Sequence, residues 1–136
     1  MYSYALLRIT LGINLLIHGL VRFGNYFVFI ETMEKNFKKT FLPQIILDSF
    51  VWILPPFEAL IGLFLILGLM TRVSVILGAA LLMILIFGTG LLQDWSTMSF
   101  QMIYATIYFI LLFHICYNKY SVDEVIKSDT YNKDNQ

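Results

Sequence analysis

Apolar residues fill positions 4–23 of the chain, broken only by Arg8, Asn14, His18 and Arg22. A helix of about twenty residues rises ~30 Å, the thickness of a bilayer's hydrocarbon core. The stretch therefore predicts a first membrane span. No Lys or Arg precedes it, Arg8 lies inside it and no small-x-small site follows, so it reads as a retained span rather than a cleaved signal peptide. From residue 24 to 48 the pattern changes. Tyr26, Phe27, Phe29, Ile30, Met33, Phe37 and Phe41 recur at helical steps among Glu31, Glu34, Lys35, Lys38 and Lys39. That spacing predicts a helix over 26–41 with an aromatic face and a charged face. It is either an amphipathic helix in the headgroup layer or a lid over a site between the spans.

A second apolar segment covers residues 50–70 and contains Pro55 and Pro56. Two adjacent prolines remove two helix donors and favour a helix start over a helix interior, so the reading places a break there. Residues 50–54 then become an interfacial or re-entrant turn. Thr71 and Arg72 form a tight polar joint, followed by a third span at 73–92 and a fourth at 100–117. Beyond Asn118 the apolar pattern stops. The fold class is all-α: an integral membrane four-helix bundle over residues 1–117, with an interfacial amphipathic helix between spans one and two. Residues 118–136 are expected to be a poorly ordered polar tail.

Composition sharpens this picture. Only 13% of the 136 residues are charged and 59% are hydrophobic, against about 25% charged in a soluble domain. Nine Lys and Arg balance nine Asp and Glu, which leaves no basic stripe for nucleic acid. The lipid bilayer is the expected surrounding. Cys116 is the one cysteine, excluding an internal disulfide, a CxxC pair and a Cys-ligated metal or cluster within the chain. No metal site is expected. Lys and Arg divide evenly between the two sides of the membrane, so charge alone does not orient the chain.

Polar residues inside spans are costly, so they face the bundle interior and are functional candidates. Asn14, His18 and Arg22 share one face of the first span at i, i+4 steps. Glu58 begins the second span, and antiparallel neighbours bring it level with His18 and Arg22. The expectation is an ionised Glu58 in contact with Arg22 or His18. Gln93, Asp94, Gln101 and Tyr104 emerge on the same side, and with His18, Arg22 and Glu58 these seven residues define a candidate polar pocket beneath the aromatic insert. Two readings stand: a structural knot between helices, or a ligand or substrate site.

At the opposite surface Arg8, Thr71, Arg72 and His114 are level. Arg8 and Arg72, the basic residues of that face, are expected to snorkel to the headgroups or to bind an acidic lipid or a partner's carboxylate. Two histidines raise the question of haem. His18 and His114 lie near opposite surfaces, roughly 18 Å apart by helix rise across a ~30 Å core, so they do not share one iron within the chain. Gly12, Gly19, Gly62, Gly68, Gly78, Ala79 and Ala80 serve close helix packing.

The motifs Arg8-x-x-x-Gly12, His18-Gly19-x-x-Arg22-Phe23, Glu58-x-x-x-Gly62, Gly68-x-x-x-Arg72 and Gly78 resemble the DoxX family of small four-span bacterial membrane proteins. The resemblance covers residues 6–82; the fourth span matches by position and hydropathy. The family usually has lysine where Arg22 stands. The resemblance implies a bacterial inner-membrane protein with both termini cytoplasmic, so that the tail is cytoplasmic too. It also implies association with quinone- or quinol-linked oxidoreductase complexes; if catalytic, the chain is an oxidoreductase subunit acting with a partner. Quinone is the cofactor it brings into view, although the sequence itself carries no cofactor motif. Distant relatives act as cargo receptors or assembly chaperones. The alternative is therefore a non-catalytic subunit that stabilises another membrane complex, with other membrane proteins or further copies of itself as partners. Some redox relatives carry cysteines for thiol exchange, a pattern from which the single Cys116 departs.

Overall fold

The computed structural model of the chain describes residues 1–134. Every regular element among them is helical: α1 (Tyr2–Gly24), α2 (Tyr26–Phe37), α3 (Gln44–Leu67), α4 (Thr71–Leu91), α5 (Trp95–Phe113), a single 3-10 turn (Ile115–Tyr117) and α6 (Val122–Asp134). Four of them, α1, α3, α4 and α5, are long and apolar enough to cross a membrane. The chain is a multi-pass membrane bundle in contact with lipid. Exposed Leu6, Phe23, Ile53, Met83, Phe100 and Phe109 form the apolar outer surface that such a surrounding requires. Four crossings return the chain to its starting side. The start of α1, the α3–α4 joint and α6 share one end, here the termini side; α2 and the α4–α5 joint share the other, the loop side.

The tightest contact is between α1 and α3. It rests on glycines: a Cβ on Gly12 would lie 2.8 Å from the Gly62 carbonyl oxygen, and one on Gly19 would lie 2.5 Å from the Ala59 nitrogen. With no hydrophobic force between helices in lipid, this backbone approach supplies the dispersion contact that joins them. Leu11, Leu54, Ile61, Leu65, Val75 and Leu111 form the buried core between the four spans. Helix α4 packs on α5 and, less extensively, on α3, while α1 and α5 touch only sparsely.

Helix α3 runs without a break from Gln44 to Leu67, through Pro55 and Pro56, which corrects the expected interruption and the turn at 50–54. Pro56 offers no N–H to the carbonyl of Trp52, four residues earlier. The Tyr26 hydroxyl donates to that carbonyl instead. A side chain of α2 thus repairs the gap in α3, and this bond with the Tyr26–Trp52 ring contact fixes where α2 begins. Helix α2 ends at Phe37 rather than residue 41, because the amide and hydroxyl of Thr40 both donate to the Phe37 carbonyl, at 2.9 and 2.7 Å. Its inward face is Phe29, Ile30, Met33 and Phe37. Phe27 and Phe41, expected on the same stripe, are exposed.

The expected loose tail is the second correction: residues 122–134 are helical, and α6 is tied to the α3–α4 joint by reciprocal capping. The Asp123 N–H donates to the Gly68 carbonyl (3.1 Å), one of the orphan acceptors at the end of α3. The Asp123 carboxylate accepts from the N–H groups of Met70 (2.6 Å) and Thr71 (2.8 Å), orphan donors at the start of α4. The same bonds hold Met70 at a φ of 46°, a strained backbone for a non-glycine residue.

Burial pushes the Asp123 carboxyl up, but the hydrogen bonds from Thr71 and Met70, with the Lys127 charge, outweigh it and hold the group below the usual carboxylate range. A depressed pKa stabilises the fold above the unfolded value and loses that contribution as pH falls through the folded one. Docking of α6 is therefore expected to be intact at neutral pH and to weaken in acid below about pH 4, where a free Asp titrates. Asp123→Ala should produce the same undocking at pH 7, at a cost of about 0.5–2 kcal/mol for a lost cap. Faster amide hydrogen exchange over residues 122–127, with the spans unchanged, is the result that checks it.

Arg8 is the third correction. Instead of snorkelling it is 1% exposed, lodged under α6. Its Nη2 donates to the Tyr120 carbonyl (2.7 Å), and its Nη1 lies so close to Gly68 that a Cβ there would sit 1.6 Å away. With a φ of 69° as well, position 68 takes glycine for two independent reasons. The guanidinium lies against the carbonyl end of α3, where the helix dipole favours a cation. Arg72 is exposed. His114 stands apart from this cluster: its Nδ1 donates to the Ile110 carbonyl (3.1 Å) and its ring packs with Phe113 and Tyr117.

Candidate functional site in the loop-side half of the bundle

Where α1 and α5 part, a cavity of about 270 Å³ opens between α1, α3, α4 and α5. Each polar residue in its wall has a helical reason for being there. Asn14, His18 and Arg22 come from one stripe of α1, Glu58 from the facing turn of α3, and Gln101, Tyr104 and Tyr108 from α5. The wall reaches from the level of Thr97 to that of Tyr108 on α5, eleven residues on, or about 16 Å of helix rise. The cavity therefore extends from near the loop-side surface to about the middle of the bundle.

Arg22 Nη1 and Glu58 Oε2 form an ion pair. The Glu58 side chain is 3% exposed and that of Arg22 28%, so the carboxylate depends on the guanidinium for its charge partner. The Arg22 guanidinium also lies 5.3 Å from the Phe29 ring centroid of α2, a cation–π distance, and is held between the pair and the insert. Asn14 Nδ2 donates to the Tyr104 hydroxyl (3.3 Å), which keeps that hydroxyl's own proton available. The Thr89 hydroxyl lies 2.8 Å from Gln101 Oε1 and is shared with the Leu85 and Ile86 carbonyls of its own helix. The Tyr108 hydroxyl is buried and makes no hydrogen bond within the protein. It lies against Gly78, where a Cβ would come within 2.5 Å of it.

Of the seven pocket residues expected from sequence, His18, Arg22, Glu58, Gln101 and Tyr104 line this one cavity; His18 is the exposed member, at its rim. Gln93 and Asp94 stand outside it. Gln93 occupies the left-handed region at a φ of 56°, which turns the chain away from the bundle. Asp94 caps α5, accepting from the Thr97 N–H (3.1 Å). Its hydrogen bonds from Thr97 hold its carboxyl below the usual range, the behaviour of an N-cap. Sequence reasoning missed Tyr108, one helical turn beyond Tyr104 on the same face; the i, i+4 tyrosine pair was the available signal.

A second cavity, also about 270 Å³, adjoins the first on the α3–α4 side. Met33 and Phe37 of α2 roof it, and Phe50, Ile84, Phe87 and Gly88 supply walls. Arg22, Leu85, Thr97 and Gln101 line both cavities. Among the described residues no cluster of three or more His, Cys, Asp or Glu could hold a metal ion.

These features define a four-span membrane protein with a polar site buried in one half of its bundle. Residues 3–95 match the model of the DoxX family, and the chain belongs to that family. The match contains α1 to α4 and both members of the ion pair, while Gln101, Tyr104 and Tyr108 lie beyond it. No curated protein and no solved structure gives a significant match.

Proposed function

We propose that the chain is a small subunit of a redox-linked complex in the bacterial inner membrane, with both termini cytoplasmic, and that the α1–α5 cavity receives the head group of a quinone or quinol. The observation that carries this reading is the donor and acceptor set of that cavity. Tyr108 and Tyr104 present two hydroxyl donors on one face of α5, and Tyr108 has no protein partner. A buried hydroxyl left without a partner costs about 1–3 kcal/mol, and a carbonyl oxygen on a ring relieves that cost. Across the cavity Glu58 holds a carboxylate and His18 an imidazole at the rim, two groups suited to passing a proton. Reduction of a quinone to a quinol takes up two electrons and two protons. In this reading a partner subunit supplies the electrons, while this chain binds the head group and conducts protons.

The test is the quinone content of the purified protein. Solvent extraction of wild-type protein in mild detergent is expected to yield quinone in near-stoichiometric amount, and Tyr108→Phe should lower it several-fold without altering the fold. Protein free of quinone that copurifies with a defined membrane partner would overturn the reading in favour of a non-catalytic assembly subunit. One observation supports that second role: α6 presents exposed Val122, Val125 and Ile126 on the termini side, a surface suited to another protein.

A further inference from the structure

The two loop-side cavities differ in chemistry and share part of their walls. One carries Asn14, Glu58, Tyr104 and Tyr108; the other is roofed and walled mainly by apolar groups such as Met33, Phe37, Phe50 and Ile84. Each is about 270 Å³, short of the ~300–1,000 Å³ that small-molecule sites occupy, whereas the two together fall inside it. The partition between them includes the side chains of Arg22 and Gln101, which are long and rotatable. Helix α2 encloses the apolar chamber rather than leaving it to lipid. Phe37 is 7% exposed and lies 3.4 Å from where a Cβ on Gly88 would be, and the far end of α2 is tied to α3 through Tyr26.

The geometry points to a single ligand spanning both chambers: a ring with carbonyl or hydroxyl oxygens in the polar chamber, carrying one apolar chain that passes between Arg22 and Gln101 into the chamber under α2. This rests on the proposed quinone reading and adds to it the place of the chain and the role of α2 as its cover. Two facts support it, the second of them over a head group bound alone. The unpartnered Tyr108 hydroxyl marks the polar chamber as a site for an acceptor. The apolar chamber begins where that site ends, at residues that line both. In a membrane the chain gains nothing by leaving water, since lipid is as apolar as the chamber. Its function is orientation: a chain held under α2 fixes which ring oxygen meets Tyr108.

The experiment uses the full chain in lipid nanodiscs with three probes: a chainless benzoquinone, the same ring carrying a short alkyl chain tipped with a diazirine, and a phosphatidylcholine with a diazirine in its acyl tail. Binding of the chainless ring, read by quenching of protein fluorescence, tests the head-group reading alone. If the inference holds, irradiation with the tailed quinone labels Met33, Phe37, Phe50 or Ile84, and excess untipped tailed quinone suppresses that label at least ten-fold. Gly88→Leu, which fills the space facing Phe37, should abolish the label while binding of the chainless ring changes less than two-fold. The wild-type label map decides the matter even where Gly88→Leu fails to fold. Binding of the chainless ring together with label confined to lipid-facing residues overturns the two-chamber ligand and leaves the head-group reading standing. Label in the apolar chamber from the phospholipid but not from the quinone overturns it in favour of a bound lipid. Absence of ring binding overturns both.

Discussion

Arg22→Leu is expected to destabilise the bundle by about 3–5 kcal/mol, the cost of stranding one member of a buried pair. Glu58 is the enclosed partner, 3% exposed against 28% for Arg22. Removing the guanidinium therefore leaves an enclosed carboxylate without its counter-charge, whereas removing Glu58 leaves an arginine that can extend toward the loop-side surface and keep its contact with Phe29. Glu58→Leu should consequently cost less than Arg22→Leu. The double change, Glu58→Leu with Arg22→Leu, should cost less than either alone, because two apolar groups replace two charges. Thermal unfolding in detergent, arranged as a double-mutant cycle, measures the coupling. Near-zero coupling would mean that the pair contributes nothing to the fold, and that its burial serves only the ligand site.

The other large effect is expected at the α1–α3 seam. A Cβ on Gly62 would lie 2.5 Å from the Leu16 nitrogen and 2.7 Å from the Gly12 carbonyl oxygen. Both neighbours are backbone, so no side chain can turn aside and the helices themselves must part. Gly62→Leu should reach or exceed the ~1–3 kcal/mol typical of overpacking, and Gly19→Leu should behave alike for the same reason. Gly24→Ala supplies the control: a Cβ there meets nothing within 4 Å, so the change should be neutral or slightly stabilising. Unfolding midpoints of the three variants in one detergent test the ordering. A tolerated Gly62→Leu would show that the spans pack with more slack than their backbone distances imply.

The spans, the insert and the ion pair were legible because each follows from one local rule. Apolar length marks a span, the i, i+4 spacing of Asn14, His18 and Arg22 marks a face, and antiparallel direction sets Glu58 level with Arg22. The misread features depend on partners remote in sequence. Proline rules place a break at Pro55–Pro56, and nothing nearby reveals that Tyr26, in another helix, donates to the carbonyl that Pro56 leaves free. Arg8 reads as a snorkelling residue because its acceptor, Tyr120, is 112 positions away. The tail did carry a local sign, Ser121-x-x-Glu124 before Val125 and Ile126, a spacing typical of helix starts. It was masked by the low hydrophobicity of residues 127–136, and the Ser121 hydroxyl in fact bonds back to the Asn118 carbonyl (2.8 Å). Gln93 and Asp94 were drawn into the pocket by proximity along the chain, which does not register that a left-handed residue redirects them.

The bond from Arg8 to the Tyr120 carbonyl also dictates an order of manufacture. Residue 8 is made 112 positions before residue 120, so for that interval the first span holds a cation whose eventual acceptor does not yet exist. During that interval the guanidinium must find its partners in water, headgroups or the insertion machinery. Housing of Arg8 then waits for the segment that carries Tyr120. Chains cut short before Tyr120 would hold all four spans and a buried arginine without its acceptor, an uncompensated charge of the kind that is costly inside a bilayer.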